Sequence, residues 1–287
     1  MASRKALLLA ILGCVCFFSA VLAARELSDD SAMAARHEQW MAEYNRVKFK
    51  ANVKFIESFN AARNRKFWLG VNQFADLTNN EFRATKANKG LNPNTVKVPT
   101  GFRYENVSID ALPATVDWRA NGAVTPIKDQ GQCEDQGCNG GEMDDAFKFI
   151  IKNGGLTSYP YTAQDGQCKA GSSSVATIKG YEDLPTNNEA ALTKAVANQP
   201  VSVAVDGGDM TFQFYSGGVM TGSCGTDLDH GIAAIGYEQD SDGTKYWLMK
   251  NSWGTTWGEN GFLRMEKDIS DKRGMCGLAM QPSYPTE

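Results

Sequence analysis

The composition of this chain changes at Leu112, and that break limits the folds open to it. Ahead of it, apolar residues fall at helical spacing; behind it, Gly, Trp and Cys cluster and short β-type runs take over. Met33 to Tyr44 places Trp40, Met41 and Tyr44 on neighbouring turns, and Phe49 to Asn60 does the same with Phe49, Val53, Ile56 and Asn60. Thr78-Asn79-Asn80-Glu81 reads as a capping box that opens a third, short helix. Residues 87 to 111 are rich in Asn, Pro and Thr without periodicity, which reads as a linker. Beyond it, Asp144 to Asn153 is expected to be helical and to stop at Gly154-Gly155. Thr186-Asn187-Asn188-Glu189 is expected to cap another helix that ends before Pro200. Strands are expected at Val201 to Val205, His230 to Tyr237, Lys245 to Asn251 and Gly261 to Glu266. Helices, a linker, then helices followed by strands is an α+β order rather than an alternating one.

The N-terminus is of another kind. Arg4 and Lys5 precede an uncharged apolar run from Ala6 to Ala24 that ends in small residues before Arg25-Glu26. A basic start, an apolar middle and a small-residue exit predict a secretory signal peptide over 1–23, with a single membrane anchor as the alternative because the run is near spanning length. No later stretch is apolar enough to span a bilayer, so no membrane association is expected after cleavage. Cleavage removes Cys14 and Cys16 and leaves Cys133, Cys138, Cys168, Cys224 and Cys276, an odd number in a compartment that permits disulfides. Asn106-Val107-Ser108 is a glycosylation candidate at Asn106.

Charge divides at the same boundary. Residues 25–111 carry 14 Lys+Arg against 10 Asp+Glu, net +4; residues 112–287 carry 13 against 23, net −10. A basic segment ahead of an acidic domain suits an intramolecular partner, though two solvated faces would give the same count. With a net charge of −4 and no basic stripe, a nucleic acid partner is not expected. Two histidines, His37 and His230, leave no His-built metal site, and no metal or cofactor is called for.

The residues that carry chemistry lie in three places. Asp129-Gln130-Gly131-Gln132-Cys133 is the first. Leu228-Asp229-His230-Gly231, at the start of an expected strand, is the second. Lys250-Asn251-Ser252-Trp253-Gly254, at the end of another, is the third. A thiol protease needs a thiolate, an imidazole to pair with it and a side-chain amide to orient that imidazole. It also needs a donor for the oxyanion, which a glutamine amide supplies.

On these motifs the chain resembles a plant papain-family cysteine peptidase precursor over nearly its whole length. Gly70-Val71-Asn72-Gln73-Phe74-Ala75-Asp76 matches the G-x-N-x-F-x-D prosegment motif, and Phe49, Asn52, Ile56 and Asn60 match the second half of the interrupted helical one. The Gln130 to Cys133 stretch, Cys138-Asn139-Gly140-Gly141, His230 and Asn251-Ser252-Trp253-Gly254 match the peptidase. The resemblance implies a helical inhibitory prosegment with its linker over 24–111 and a two-lobed papain-like domain over 112–287. It implies His230 as the catalytic imidazole, Asn251 as the residue orienting it, and Gln130 as the oxyanion-hole amide. Trp253 would shield the Asn–His bond, and Gly140 and Gly141 would line the substrate cleft. Disulfides are implied between Cys224 and Cys276 and between Cys133 and Cys138. Polypeptide substrates or related cysteine proteases, and the chain's own prosegment, are the implied partners of a monomer. A vacuole- or lysosome-like compartment or the extracellular space is the implied destination.

The sequence departs from the family where it matters most. Cys133 corresponds to the disulfide cysteine ahead of the nucleophile, and the C-G-[SA]-C-[WY] signature that should follow is replaced by Glu134-Asp135-Gln136-Gly137-Cys138. Cys133 lies 97 positions before His230 and 118 before Asn251, against roughly 130–150 between the family's nucleophile and these partners. This spacing implies that roughly 35–50 residues are missing at one junction, and by the family's pattern that block would hold the nucleophile, the helix it opens and the partner of Cys168. Cys168 is expected to be a free thiol. The helical lobe is expected to be truncated, the β-rich lobe largely intact, and the prosegment shortened between Val47 and Phe49. Glu142 stands where a hydrophobic pocket residue is expected. Three readings follow: a shortened papain-type endopeptidase, a non-catalytic pseudopeptidase or prosegment-type inhibitor, and a peptidase using Cys133 itself.

Overall fold

The computed structural model describes residues 30–62, 64–86, 91, 101–131, 141–156 and 174–287. The expected signal peptide, Cys133, Cys138, Gly140 and Cys168 lie outside the described residues. The chain divides into two compact units, up to Ala51 and from Asn52 onward.

The two helical runs of the sequence form one helix, α1 (Asp30–Asn60). In the first unit the Trp40 and Tyr44 rings stack at 5.2 Å between centroids, and the Lys48 ammonium sits 4.5 Å from the Tyr44 ring. In the second unit, the end of α1 is fixed by its amides. Asn52 Nδ2 donates to the carbonyls of Ala75 and Leu77, both at 2.8 Å, and Asn60 exchanges two bonds with the Leu69 backbone. Strand β1 (Phe67–Leu69) follows, then α2 (Asn79–Lys86). The capping box is formed as expected: the Thr78 amide donates to Glu81 Oε2 at 2.8 Å and the Glu81 amide to Thr78 Oγ1 at 3.2 Å.

The rest of the second unit is β2 (Val116–Asp117), α3 (Met143–Lys152), β3 (Gly180–Asp183), α4 (Glu189–Val196), β4 (Val201–Val205), α5 (Met210–Gln213), β5 (Tyr215–Met220), β6 (His230–Gln239), β7 (Lys245–Lys250), β8 (Phe262–Glu266) and β9 (Ser283–Thr286). The strands join in the order β1-β5-β8-β7-β6-β4-β9-β3, with β2 pairing β6. The β6–β7 hairpin is the centre of the sheet, and it sets His230 at the start of one strand and Asn251 just past the end of the other. The sheet also recruits the leader: β1 pairs antiparallel with β5 through Phe67↔Gly218. Gly218, at φ 89°, makes that possible, because a Cβ there would lie 2.3 Å from the Lys66 carbonyl oxygen. Strand β5 was not legible in the sequence since two glycines interrupt it, and β9 carries Pro285 beyond its single pairing with β4 at Ser202↔Ser283, where only β3 lies alongside it.

The core belongs to the strand-rich half. Val201, Val203 and Val205 alternate inward from β4 against Leu192, Ala195 and Val196 of α4, with Trp247 and Tyr284 buried beside them. Helix α3 stops as expected at Gly154, φ 69°, where the Gly155 amide reaches back to the Ile150 carbonyl. Its Phe149 and Ile151 are exposed at 47% and 37%, so α3 leaves part of its apolar surface uncovered among the described residues. The second capping box does not form as read. Asn187 takes φ 61°, which moves the start of α4 forward, and Asn188 is the cap, accepting from the Ala191 amide at 3.0 Å. Glu189 instead accepts from the Trp247 indole at 2.7 Å. Replacing Asn188 with Ala should therefore lower stability by about 1 kcal/mol, measured as a shift in urea midpoint. An unchanged midpoint would contradict this assignment of the cap.

Candidate active site

His230 pairs with Val205 across β4–β6, and Asn251 is held by its amide on the Gly261 carbonyl at 3.0 Å. These backbone constraints bring His230 Nε2 and Asn251 Oδ1 to 2.7 Å. Asn251 Oδ1 also accepts from the Ser252 amide at 2.7 Å, which fixes it as the acceptor face of that carboxamide. A carboxamide oxygen receives a proton, so Nε2 carries the hydrogen and Nδ1 is left with its lone pair. Nδ1 is buried and has no hydrogen-bond partner among the described residues. The Trp253 indole stacks on the imidazole at 4.5 Å and 24° and closes one face to water.

The imidazole is wholly buried. Burial holds its pKa down at about 4; the Lys86 charge acts in the same direction, and the Asn251 bond acts against both. Its neighbour Asp229 shifts the opposite way. Burial raises its pKa to about 7; the Gly207 amide, which donates to it at 2.7 Å, and Arg83 oppose this, while Asp206 and Asp227 add to it. Both residues are thus neutral over a mildly acidic range.

Gln130 is zipped onto the strand end that carries Asn251. Its amide donates to the Ser252 carbonyl at 2.9 Å, the Gly254 amide donates to the Lys128 carbonyl at 3.0 Å, and Asp129 bridges Trp253. The Ser252 hydroxyl donates to Gln130 Oε1, so the NH2 of the same amide faces the other way. Gly141 lines the same cleft as Gln130, Asn251 and Ser252. Gly140 and the Cys133–Cys138 pair lie outside the described residues. Cys224 and Cys276 form a disulfide. Glu142, whose side chain caps nothing, is the residue before α3.

The leader covers this site. Phe74 and Phe82 meet the Trp253 indole edge-on at 5.7 and 5.3 Å. Gln73 Nε2 donates to the Trp253 carbonyl at 2.6 Å, and Asn72 Nδ2 to the Gln213 carbonyl at 2.8 Å. Asn79 Nδ2 donates to Gly208 O at 2.9 Å and Gln213 Oε1 at 3.0 Å. Lys86, at the end of α2, donates to the Gly131 carbonyl at 2.7 Å. Leu91 is buried against Ala204 and Leu228, with Met143 and Met280 beside them. Asp76, the last residue of the leader motif, is exposed. The sequence reading missed Gln73, Phe82, Lys86 and Leu91. Only Phe82 had a signal, as the apolar residue following a capping box.

Comparisons with known proteins give the family of the chain. The profile of the papain family cysteine protease matches residues 133–286, and that of the cathepsin propeptide inhibitor domain (I29) matches residues 37–82. The chain is 70% identical to the senescence-specific cysteine protease SAG39 of Oryza sativa subsp. indica, over 339 aligned positions that cover 100% of both proteins. A chain of 287 residues spread over 339 positions has no residue at 339 − 287 = 52 of them. It is 44% identical to the senescence-specific cysteine protease SAG12 of Arabidopsis thaliana, over 98% of this chain and 97% of the relative. Among solved structures, a recombinant stem bromelain precursor matches at TM-score 0.77 and 40% identity, covering 88% of this chain and 98% of that one. The proform of the ragweed pollen protease Amb a 11 matches at TM-score 0.78 and 34% identity, covering 91% and 95%. The chain belongs to the papain family of cysteine proteases and carries the family's propeptide.

With two histidines in the chain, the imidazole chemistry can be read directly by NMR. The His230 signals should titrate with a midpoint near 4, below the ordinary value of 6.5. Between those values the unfolded chain binds a proton that the folded chain refuses. The His230 contribution to stability is therefore complete above pH 6.5 and lost as pH falls through 4. Lys86→Met should raise the midpoint by removing the cation. An ordinary midpoint for both histidines would contradict the buried site.

Proposed function

We propose that this papain-family chain keeps the imidazole half of a thiol-protease site and lacks the nucleophile, so that it does not turn over as it stands. The observation that carries this is the His230–Asn251 pair, with Nε2 committed to the carboxamide and Nδ1 bearing the lone pair. In a thiol protease, that nitrogen takes the thiol proton while sulfur attacks the scissile carbonyl. The imidazolium then protonates the leaving amine, and water releases the acyl group from sulfur. The geometry supports His230 as this base and acid, Asn251 as the orienting residue, Trp253 as the shield and the Gln130 amide as the oxyanion donor.

The missing partner is argued from sequence and length. No Cys-Trp dipeptide occurs in the chain, and 52 aligned positions of a 70% identical relative have no counterpart, as 339 less 287. Cys133 is a poor replacement: Glu134 and Asp135 follow it, and adjacent negative charge disfavours a thiolate. The Arg4 to Ala24 segment supports entry to the secretory pathway, with a vacuole-like or extracellular destination. The exposed Asn106 suits a glycan acceptor there.

A second reading is favoured by the leader. Asn72, Gln73, Asn79 and Lys86 all bond to the peptidase part, so the leader has the contacts of a binding module for related cysteine proteases.

Both readings share one test. Purified, acid-treated protein is exposed to a thiol-directed peptidyl epoxide and to a peptide substrate. No stoichiometric labelling and no cleavage are expected. Labelling of Cys133 together with turnover would overturn the proposal.

A further inference from the structure

The first half of α1 carries a second face. Trp40, Tyr44, Val47 and Ala51 follow one another at steps of four, three and four along the helix. That alternation lines up one narrow stripe, the seam along which two helices pack. The stripe lies wholly within the compact unit that ends at Ala51. The buried residues of the same helix, Lys48, Asn52 and Ile56, recur at steps of four on another face. The stripe itself is open to water: Trp40 is exposed by 57%, Tyr44 by 40% and Val47 by 60%, and Ala51 is exposed at its end. A contiguous apolar stripe of this kind marks a contact surface.

Size and charge identify the occupant. A second copy of α1 laid antiparallel, centred between Asn45 and Arg46, brings Trp40 opposite Ala51 of the copy and Tyr44 opposite Val47, and the two-fold axis repeats both contacts. Every layer then sets a large side chain against a small one, as interdigitating positions require. A parallel pair sets Trp40 on Trp40 and Ala51 on Ala51, which crowds one layer and leaves a gap in another. The flank of the stripe carries Glu43 and, two turns on, Lys50. In the antiparallel register Glu43 of each copy meets Lys50 of the other, so the pair forms twice. Both residues are exposed, and the link from Glu43 to Arg46 in its own helix is a solvated pair at 3.6 Å that holds it weakly. Lys48, the cation that a parallel pair would offer to Glu43, is nearly buried and sits over the Tyr44 ring at 4.5 Å. We propose that this stripe binds a second copy of the chain, the two α1 helices packing antiparallel through Trp40, Tyr44, Val47 and Ala51 with two Glu43–Lys50 ion pairs along one flank. The seam is short, so the dimer belongs to the small, concentration-dependent class of interfaces. The inference rests on no part of the catalytic reading.

Sedimentation velocity of the full chain at low salt, over a hundredfold range of concentration, should show a monomer–dimer equilibrium. Glu43→Lys and Lys50→Glu should each weaken association at least tenfold, because each turns both ion pairs into like-charge contacts. The two variants mixed in equal amounts should associate as the parent does, since every pair is then again of opposite sign. Val47→Glu should leave only monomer. All three positions are exposed, so the variants should keep the parent circular dichroism spectrum. Monomer at every concentration of the parent would overturn the proposal. So would a dimer indifferent to Lys50→Glu or to Val47→Glu, or a mixture of the two charge variants that stays monomeric.

Discussion

Within the compact unit that begins at Asn52, the contacts of the Trp253 indole join leader residues to the peptidase part. One face lies on His230 at 4.5 Å. Phe74 and Phe82 of the leader and Phe212 and Trp257 of the domain stand nearly perpendicular to the indole, all with centroids between 5.1 and 5.7 Å. Each of these aromatic contacts contributes about 0.5–1.5 kcal/mol beyond the area it buries. The polar bonds around the ring set its position: Gln73 holds the Trp253 carbonyl, Asp129 bridges its backbone, and the Trp257 indole is tied to the Phe212 and Gln213 carbonyls. Leader and domain therefore share a core rather than touching across a wet surface.

That shared core explains the electrostatics of the site. An imidazole stacked on an indole and wholly buried has lost its water, so its charged form is disfavoured. Lys86, brought in by the same leader helix, adds a like charge. In this covered state His230 is a neutral base, whereas thiol-protease chemistry requires it to accept and carry a proton. The leader thus opposes that chemistry by penalising the imidazolium through the Lys86 charge.

Much of this was legible in the sequence, for identifiable reasons. His230, Asn251, Trp253 and Gln130 lie in short contiguous motifs whose residue types are dictated by chemistry. The strands that carry them alternate clearly, and β4, β6, β7 and β8 fall within two residues of their expected limits. The contacts of the leader were not legible. Gln73 occupies a variable position of its motif, and Lys86 and Leu91 lie at or beyond the end of a short helix, where nothing local announces a partner more than 40 positions away. The second capping box failed because a left-handed Asn187 competes with the Thr186 start, and Asn is among the few residues that take that conformation cheaply. The two helical runs of the leader merged into α1 because nothing between Val47 and Phe49 stops a helix.

The central claim, that leader and domain are one energetic unit joined through Trp253, is tested most directly by a double-mutant cycle. Urea unfolding of the parent, Phe82→Ala, Trp253→Leu and the double variant isolates the pairwise term from the general cost of truncating a core. We expect a coupling energy of about 0.5–1.5 kcal/mol and a single transition in all four proteins. Additive effects, or a leader that unfolds separately from the domain in the parent protein, would contradict the account.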